Sequence, residues 1–135
     1  MRRRRSLCIK TGAAVATSNP LRIVGAADLL PYWGDLHGQT EETCGSNSIE
    51  DYFTFARDVG LLDITAHQGN DFEVSDAFWE TVNQTTRRFN RPGAFVTFPG
   101  YEWSGNTPLG GDRNVYFSGE AAPIVHSCTD LLPGQ

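Results

Sequence analysis

From residue 32 onward, short apolar runs alternate with amphipathic stretches, and the alternation predicts the order β–α–β–α–β. Tyr32 to Leu36 reads as the first clear strand, followed by a polar loop, Thr40 to Asn47, rich in turn formers. Ser48 starts a helix, with Asp51 three residues on in an approximate capping box. Ile49, Tyr52, Phe53, Ala56 and Val59 supply its apolar face, and Gly60 is a suitable stop. Leu61 to Ala66 follows as a second strand, and His67 to Val74 is another polar loop. Ser75 then caps a second helix over 76–89. Phe78, Val82 and Phe89 form its buried stripe, and Arg87 and Arg88 suit the negative end of its dipole. After the Pro92-Gly93 turn, Ala94 to Phe98 reads as a third strand. Pro99-Gly100 opens a loop carrying Tyr101, Glu102, Trp103 and Ser104, and Asn114 to Phe117 is a fourth short strand. Residues 1–30 are a weakly specified lead-in with a turn at Asn19-Pro20, and no element is predicted after Gly119. The fold class is therefore α/β, with parallel strands joined by right-handed crossovers.

This order brings chemistry to one edge. His37 ends the first strand, His67 follows the second and Glu102 follows the third. The carboxyl ends of parallel strands are where α/β sheets and barrels place ligand sites. Three N/O donors converging there suit a divalent metal such as zinc, manganese or iron. Asp35 lies one pleat below His37 and is expected on the same face, as a ligand or its support. By the same period, Asp63, Thr65 and His67 share a face of the second strand. Singly, each residue has a plainer reading: a strand-end histidine is commonly a hydrogen-bonded structural group, and Glu102 an ordinary loop acid. Their joint placement carries the site. Trp33, Tyr101 and Trp103 read as core aromatics, Trp33 above all, and Asn70-Asp71 as a turn signal. Gly110-Gly111-Asp112-Arg113-Asn114 is either a plain turn or an anion cradle, with Arg113 as a bidentate donor. It matches no P-loop spacing. His126 has no assigned part, and neither a Ser-His-Asp nucleophile elbow nor a GxGxxG is present.

Composition narrows the partners. The 135 residues suit one ordinary domain. Sixteen acidic residues against eleven basic give a net charge of −5, and four of the eleven are Arg2 to Arg5. That balance argues against nucleic acid as a partner. No apolar run approaches the ~20 residues that span a bilayer. Cys8, Cys44 and Cys128 show no CxxC spacing and cannot all pair, which excludes a disulfide scaffold and leaves one bridge open. The apolar run from Gly12 to Ala16 behind Arg2–Arg5 is too short for a good secretion signal, so a disordered tail or an internal start is the favoured reading. The compartment stays open.

With these residues assembled, the chain resembles the PHP (polymerase and histidinol phosphatase) superfamily, and most of all a bacterial PHP-like branch known only as a domain of unknown function. Asp35-Leu36-His37-Gly38-Gln39-Thr40 occupies a motif of the form D-L-H-x-H-T. Asp63-Ile64-Thr65-Ala66-His67 occupies a second motif ending in an acid–histidine pair, and Glu102 is the third element. The resemblance covers about residues 31–118. It implies a distorted (β/α)7 barrel of which only the first strands are present, with residues 31–135 forming the amino-terminal part. It also implies a metal-dependent hydrolase with a two- or three-metal site that hydrolyses small phosphate esters, with an amide or other ester left open as the substrate. His37, His67 and Glu102 would bind metal, with Asp35 a ligand or its support. Asp112 would be a ligand or base, and Arg113 would stabilise developing charge. Gln39 and Ala66 stand where the common pattern has a histidine and an acid, which limits the number of metals. The alternative expectation is a truncated or degenerate module, non-catalytic, that binds one metal or only packs structurally.

Overall fold

A computed structural model describes residues 4–5, 8–17, 21–22, 29–105, 111–119 and 121–127. The chain divides into two units, Met1–Pro31 and Tyr32–Gln135. Among its described residues the first contains four short strands, β1 (Arg4–Arg5), β2 (Cys8–Thr11), β3 (Ala14–Thr17) and β4 (Leu21–Arg22). β1 pairs antiparallel with β4, and β2 with β3. Gly12 supplies the positive φ, 60°, at the first turn position between β2 and β3, where a side chain would be strained. The weakly specified lead-in thus contains a hairpin. The turn expected at Asn19-Pro20 lies outside the described residues.

The second unit is built on a parallel three-stranded sheet of β5 (Gly34–Gly38), β6 (Ile64–His67) and β7 (Val96–Phe98), in that order. Helix α1 (Ile49–Asp58) connects the first pair and α2 (Asp76–Phe89) the second. Both begin at the serines expected: Ser48 Oγ accepts from the Asp51 backbone N–H, and Ser75 Oγ from that of Phe78. Ile49, Phe53 and Ala56 are buried from α1, and Phe78, Trp79, Val82 and Phe89 from α2. Phe53 meets Phe89 edge-on at 5.5 Å, which locks the two helices together over the sheet. Val59, expected on the apolar face, caps the helix instead and is exposed. Among the described residues no closed barrel forms; the architecture is an open α/β sheet with its helices packed on it. No helix of the described residues is long and apolar enough to cross a membrane.

Two expectations need correcting. The segment after Pro99 is not a loop but strand β8 (Gly100–Ser104), paired antiparallel with β9 (Asp112–Tyr116). Its alternation explains this: Tyr101 is buried against Trp79, edge-on at 5.5 Å, while Glu102 takes the opposite face. Trp33 is not a core residue, being 69% exposed. It contributes its backbone instead, accepting from Asp63 N–H and donating to Asp63 Oδ2 at the entry to β5.

An irregularity in β5 sets the direction of its last side chains. Asp35 pairs with Thr65 but Gly38 pairs with His67, so two residues of β5 lie opposite one of β6. Gly38 ends this bulge against α1, where a Cβ would come within 2.0 Å of the Tyr52 ring. Tyr52 is held there by its hydroxyl on Thr65 Oγ1 at 2.7 Å, and its burial pushes the phenol well above its ordinary pKa. Gly38→Ala must displace that ring and is expected to cost about 1–3 kcal/mol. Urea unfolding of the two proteins measures it; an unchanged midpoint would show that the bulge can open freely.

Candidate functional site

The bulge delivers His37 beyond the sheet toward the β8–β9 hairpin. Its Nδ1 lies 3.2 Å from Asn114 Oδ1 and its Nε2 3.9 Å from Glu102 Oε1. An amide oxygen only accepts, so Nδ1 carries a hydrogen, and in the neutral ring Nε2 presents its lone pair to the carboxylate. Glu102 is fixed from the other side. Asn70 Nδ2 donates to its Oε2 at 2.8 Å, and Gln39 Nε2 adds a longer contact at 3.4 Å. The backbone reinforces this, because Glu102 N–H donates to Gly69 and Asp71 N–H donates to Glu102. The result is two electron-rich atoms, Nε2 and Oε1, facing one another with no hydrogen between them when His37 is neutral.

His67 is placed differently. It is fully buried on the helix side of the sheet, edge-on to Phe78 at 5.3 Å. Gly69 N–H donates to its Nδ1 at 3.2 Å, so the hydrogen sits on Nε2 and is donated to Thr40 Oγ1 at 3.0 Å. Thr40 passes its own hydroxyl hydrogen to Glu42 Oε2 at 2.7 Å. Burial pulls the imidazole pKa down to about 4, so it is neutral at pH 7. Both nitrogens are therefore used inside the fold.

A register irregularity lies between Asp35 and Gly38, so the regular pleat that pairs Asp35 with His37 is interrupted there. Asp35 Oδ1 instead accepts the His37 backbone N–H at 3.0 Å and supports the turn. On β9, Asn114 is opposite Glu102 and Asp112 opposite Ser104, so the register puts Asp112 on the Glu102 face. Arg113 is opposite Trp103, on the other face. Among the described residues no three His, Cys, Asp or Glu come together as a metal-holding set. The structure thus joins His37 with Glu102, gives Asp112 the same face, starts Arg113 from the other, and leaves His67 apart. Gly110 and Cys128 lie outside the described residues, and Cys8 and Cys44 are free thiols.

Asn114, Asn70 and Gln39 are the groups that sequence reasoning undervalues. Asn114 is recoverable from strand alternation once residues 100–104 are a strand. Asn70-Asp71 does more than turn the chain. The buried Asp71 carboxylate accepts the backbone N–H of Ser104 at 2.6 Å and that of Ser127. His126 joins the same cluster, its Nδ1 2.7 Å from the Asp71 carbonyl.

Over residues 12–130 the chain matches the family described as "Protein of unknown function (DUF3604)", and it belongs to that family. It is similar to an uncharacterized protein of Chlamydia pneumoniae, 33% identical over 98 residues, covering 70% of this chain and 16% of that protein. An uncharacterized protein of Chlamydia trachomatis serovar D is 29% identical over 124 residues, 88% of this chain and 20% of its own length. The chain thus spans no more than 20% of the length of these relatives. No solved structure matches it.

The buried His67 has a measurable consequence. Its folded pKa of about 4 lies below the 6.5 of the exposed group, so the unfolded chain binds the extra proton first. The stabilisation is complete above pH 6.5 and is lost as pH falls toward 4, by up to about 3 kcal/mol. Urea midpoints at pH 7.5 and 4.5, for the wild type and His67→Gln, isolate the effect: the variant is expected to lose less between the two pH values. Equal losses would mean that His67 is not buried neutral.

Proposed function

We propose that the chain carries the first strands of a PHP-type metal-dependent hydrolase, in a distorted (β/α)7 barrel, and that its substrate is a small phosphate ester. One observation carries this reading: His37 Nε2 faces Glu102 Oε1 at 3.9 Å, while the far side of each group is pinned, by Asn114 and by Asn70. Metal-ligating histidines characteristically have their second nitrogen oriented in this way. Two ligands of one tetrahedral ion stand roughly 3.4 Å apart by geometry, so the separation needs little adjustment. His37 and Glu102 would hold the ion, and Asp112 is available on the same face. His67 takes a structural part, because its two nitrogens are committed within the fold.

When bound, a divalent metal would lower the pKa of a coordinated water toward neutrality and polarise a phosphoryl oxygen. The remaining work belongs to side chains. Asn114 keeps the His37 lone pair on Nε2, Asn70 keeps Glu102 Oε1 forward, and Asp35 holds the His37 backbone. Asp112 is the base candidate, able to take a proton from the attacking water. Arg113 starts from the opposite face of the hairpin, opposite Trp103. A second reading is a non-catalytic module that binds one ion, favoured by the absence of a third His, Cys, Asp or Glu ligand among the described residues.

The test is a calorimetric Mn²⁺ titration of the full-length parent protein, with hydrolysis of an aryl phosphate followed in parallel. His37→Ala and Glu102→Gln are each expected to weaken Mn²⁺ binding by at least on the order of tenfold and to abolish turnover. Unchanged affinity in both variants would sink the metal assignment, and wild-type binding without turnover would select the second reading.

A further inference from the structure

The Gln39 side chain makes three contacts that together define which way its amide points. Its Oε1 accepts from Cys44 Sγ at 2.8 Å, and its Nε2 donates to Asn70 Oδ1 at 3.2 Å and to Glu102 Oε2 at 3.4 Å. Reversing the amide would set its oxygen against those two oxygens and lose both N–H donations. Cys44 reaches the amide because the loop after β5 closes tightly. Thr43 N–H and Gly45 N–H both donate to the Thr40 carbonyl at 2.9 Å. A Cβ on Gly45 would lie 2.3 Å from the Gln39 carbonyl oxygen, so glycine is what lets the loop fold back. Asn70 completes the chain, giving its Nδ2 to Glu102 Oε2 at 2.8 Å and to Ser104 Oγ at 2.9 Å.

The two oxygens of Glu102 are thereby made unequal. Oε2 receives N–H groups from Asn70 and Gln39, whereas Oε1 faces His37 Nε2. An amide that turns its N–H toward a carboxylate offers a cation its positive end. We infer that Gln39 is a positioning residue rather than a metal ligand. Anchored by the Cys44 thiol, it keeps Glu102 Oε1 turned to His37 and closes the Oε2 side to a second cation. The metal part of this inference rests on the proposed His37–Glu102 ion site; the positioning part stands on the hydrogen bonds.

Two readouts separate these parts. In metal-free protein, the ¹³C resonance of the Glu102 carboxyl reports its hydrogen bonding directly, and Mn²⁺ titration then reports affinity and stoichiometry. Gln39→Leu is expected to move the Glu102 resonance and to weaken Mn²⁺ binding on the order of tenfold. Cys44→Ala should move both in the same direction by less, and Cys44→Ser, which restores a donor, should return both to wild-type values. Urea midpoints should be the same in all four proteins, which distinguishes positioning from simple loss of structure. A Glu102 resonance unmoved in Gln39→Leu would overturn the inference, as would a Cys44→Ser variant displaced as far as Cys44→Ala. Two Mn²⁺ ions per wild-type chain would overturn the single-cation part. A moved resonance in a wild-type background that takes no Mn²⁺ would uphold the positioning role and count against the metal reading alone.

Discussion

The obligation to satisfy polar side chains buried on the helix side of the sheet organises this unit. Strand β6 sends Thr65 and His67 into that interior, where an unpaired polar group costs roughly 1–3 kcal/mol. Thr65 answers with two bonds, accepting from Tyr52 of α1 and donating to the Asp35 carbonyl of β5. His67 is satisfied by the backbone of Gly69 and by Thr40, in the loop that leaves β5. One strand therefore fastens a helix, its neighbouring strand and two loops. Thr97 repeats the device on β7, donating to the Thr86 carbonyl of α2 at 2.7 Å.

That obligation decides what is left for chemistry. The desolvated histidine, His67, is consumed by the fold, and the exposed histidine is the one presented to the carboxylate. His37 escapes the interior because β5 inserts an extra residue before Gly38, and Gly38 carries no side chain where the Tyr52 ring fills the space. Glu102 arrives from a different direction, on an antiparallel hairpin rather than at the end of a third parallel strand. The two meet through amides: Asn114 orients the imidazole, while Asn70 and Gln39 hold the carboxylate. The site is built from neutral hydrogen-bonding groups around a small ionisable pair.

Much of the fold was legible in the sequence. Ser48 and Ser75 mark helix starts because a serine oxygen ahead of an apolar period satisfies a backbone donor that nothing else reaches. The stripe of Phe78, Val82 and Phe89 follows from period alone. The hairpin was less legible. Pro99-Gly100 reads as a break, and five residues of mixed polarity, Gly100 to Ser104, resemble a loop until their partner strand is known. Trp33 misled for the complementary reason, since aromatic bulk signals burial only where something covers it.

The sequence by itself determined the order of elements, the caps, the apolar faces and the identity of the groups near the strand ends. These are local properties, written in the spacing of neighbouring residues. Tertiary structure alone decided that His37 and His67 part company, that Asp35 serves the backbone, that Arg113 starts from the opposite face, and that Asn114 and Asn70 enter the site. Each of those outcomes depends on strand register and on one inserted residue. A shift of a single position in a pleated strand exchanges its two faces, and no periodicity within one strand records how it is aligned with the next.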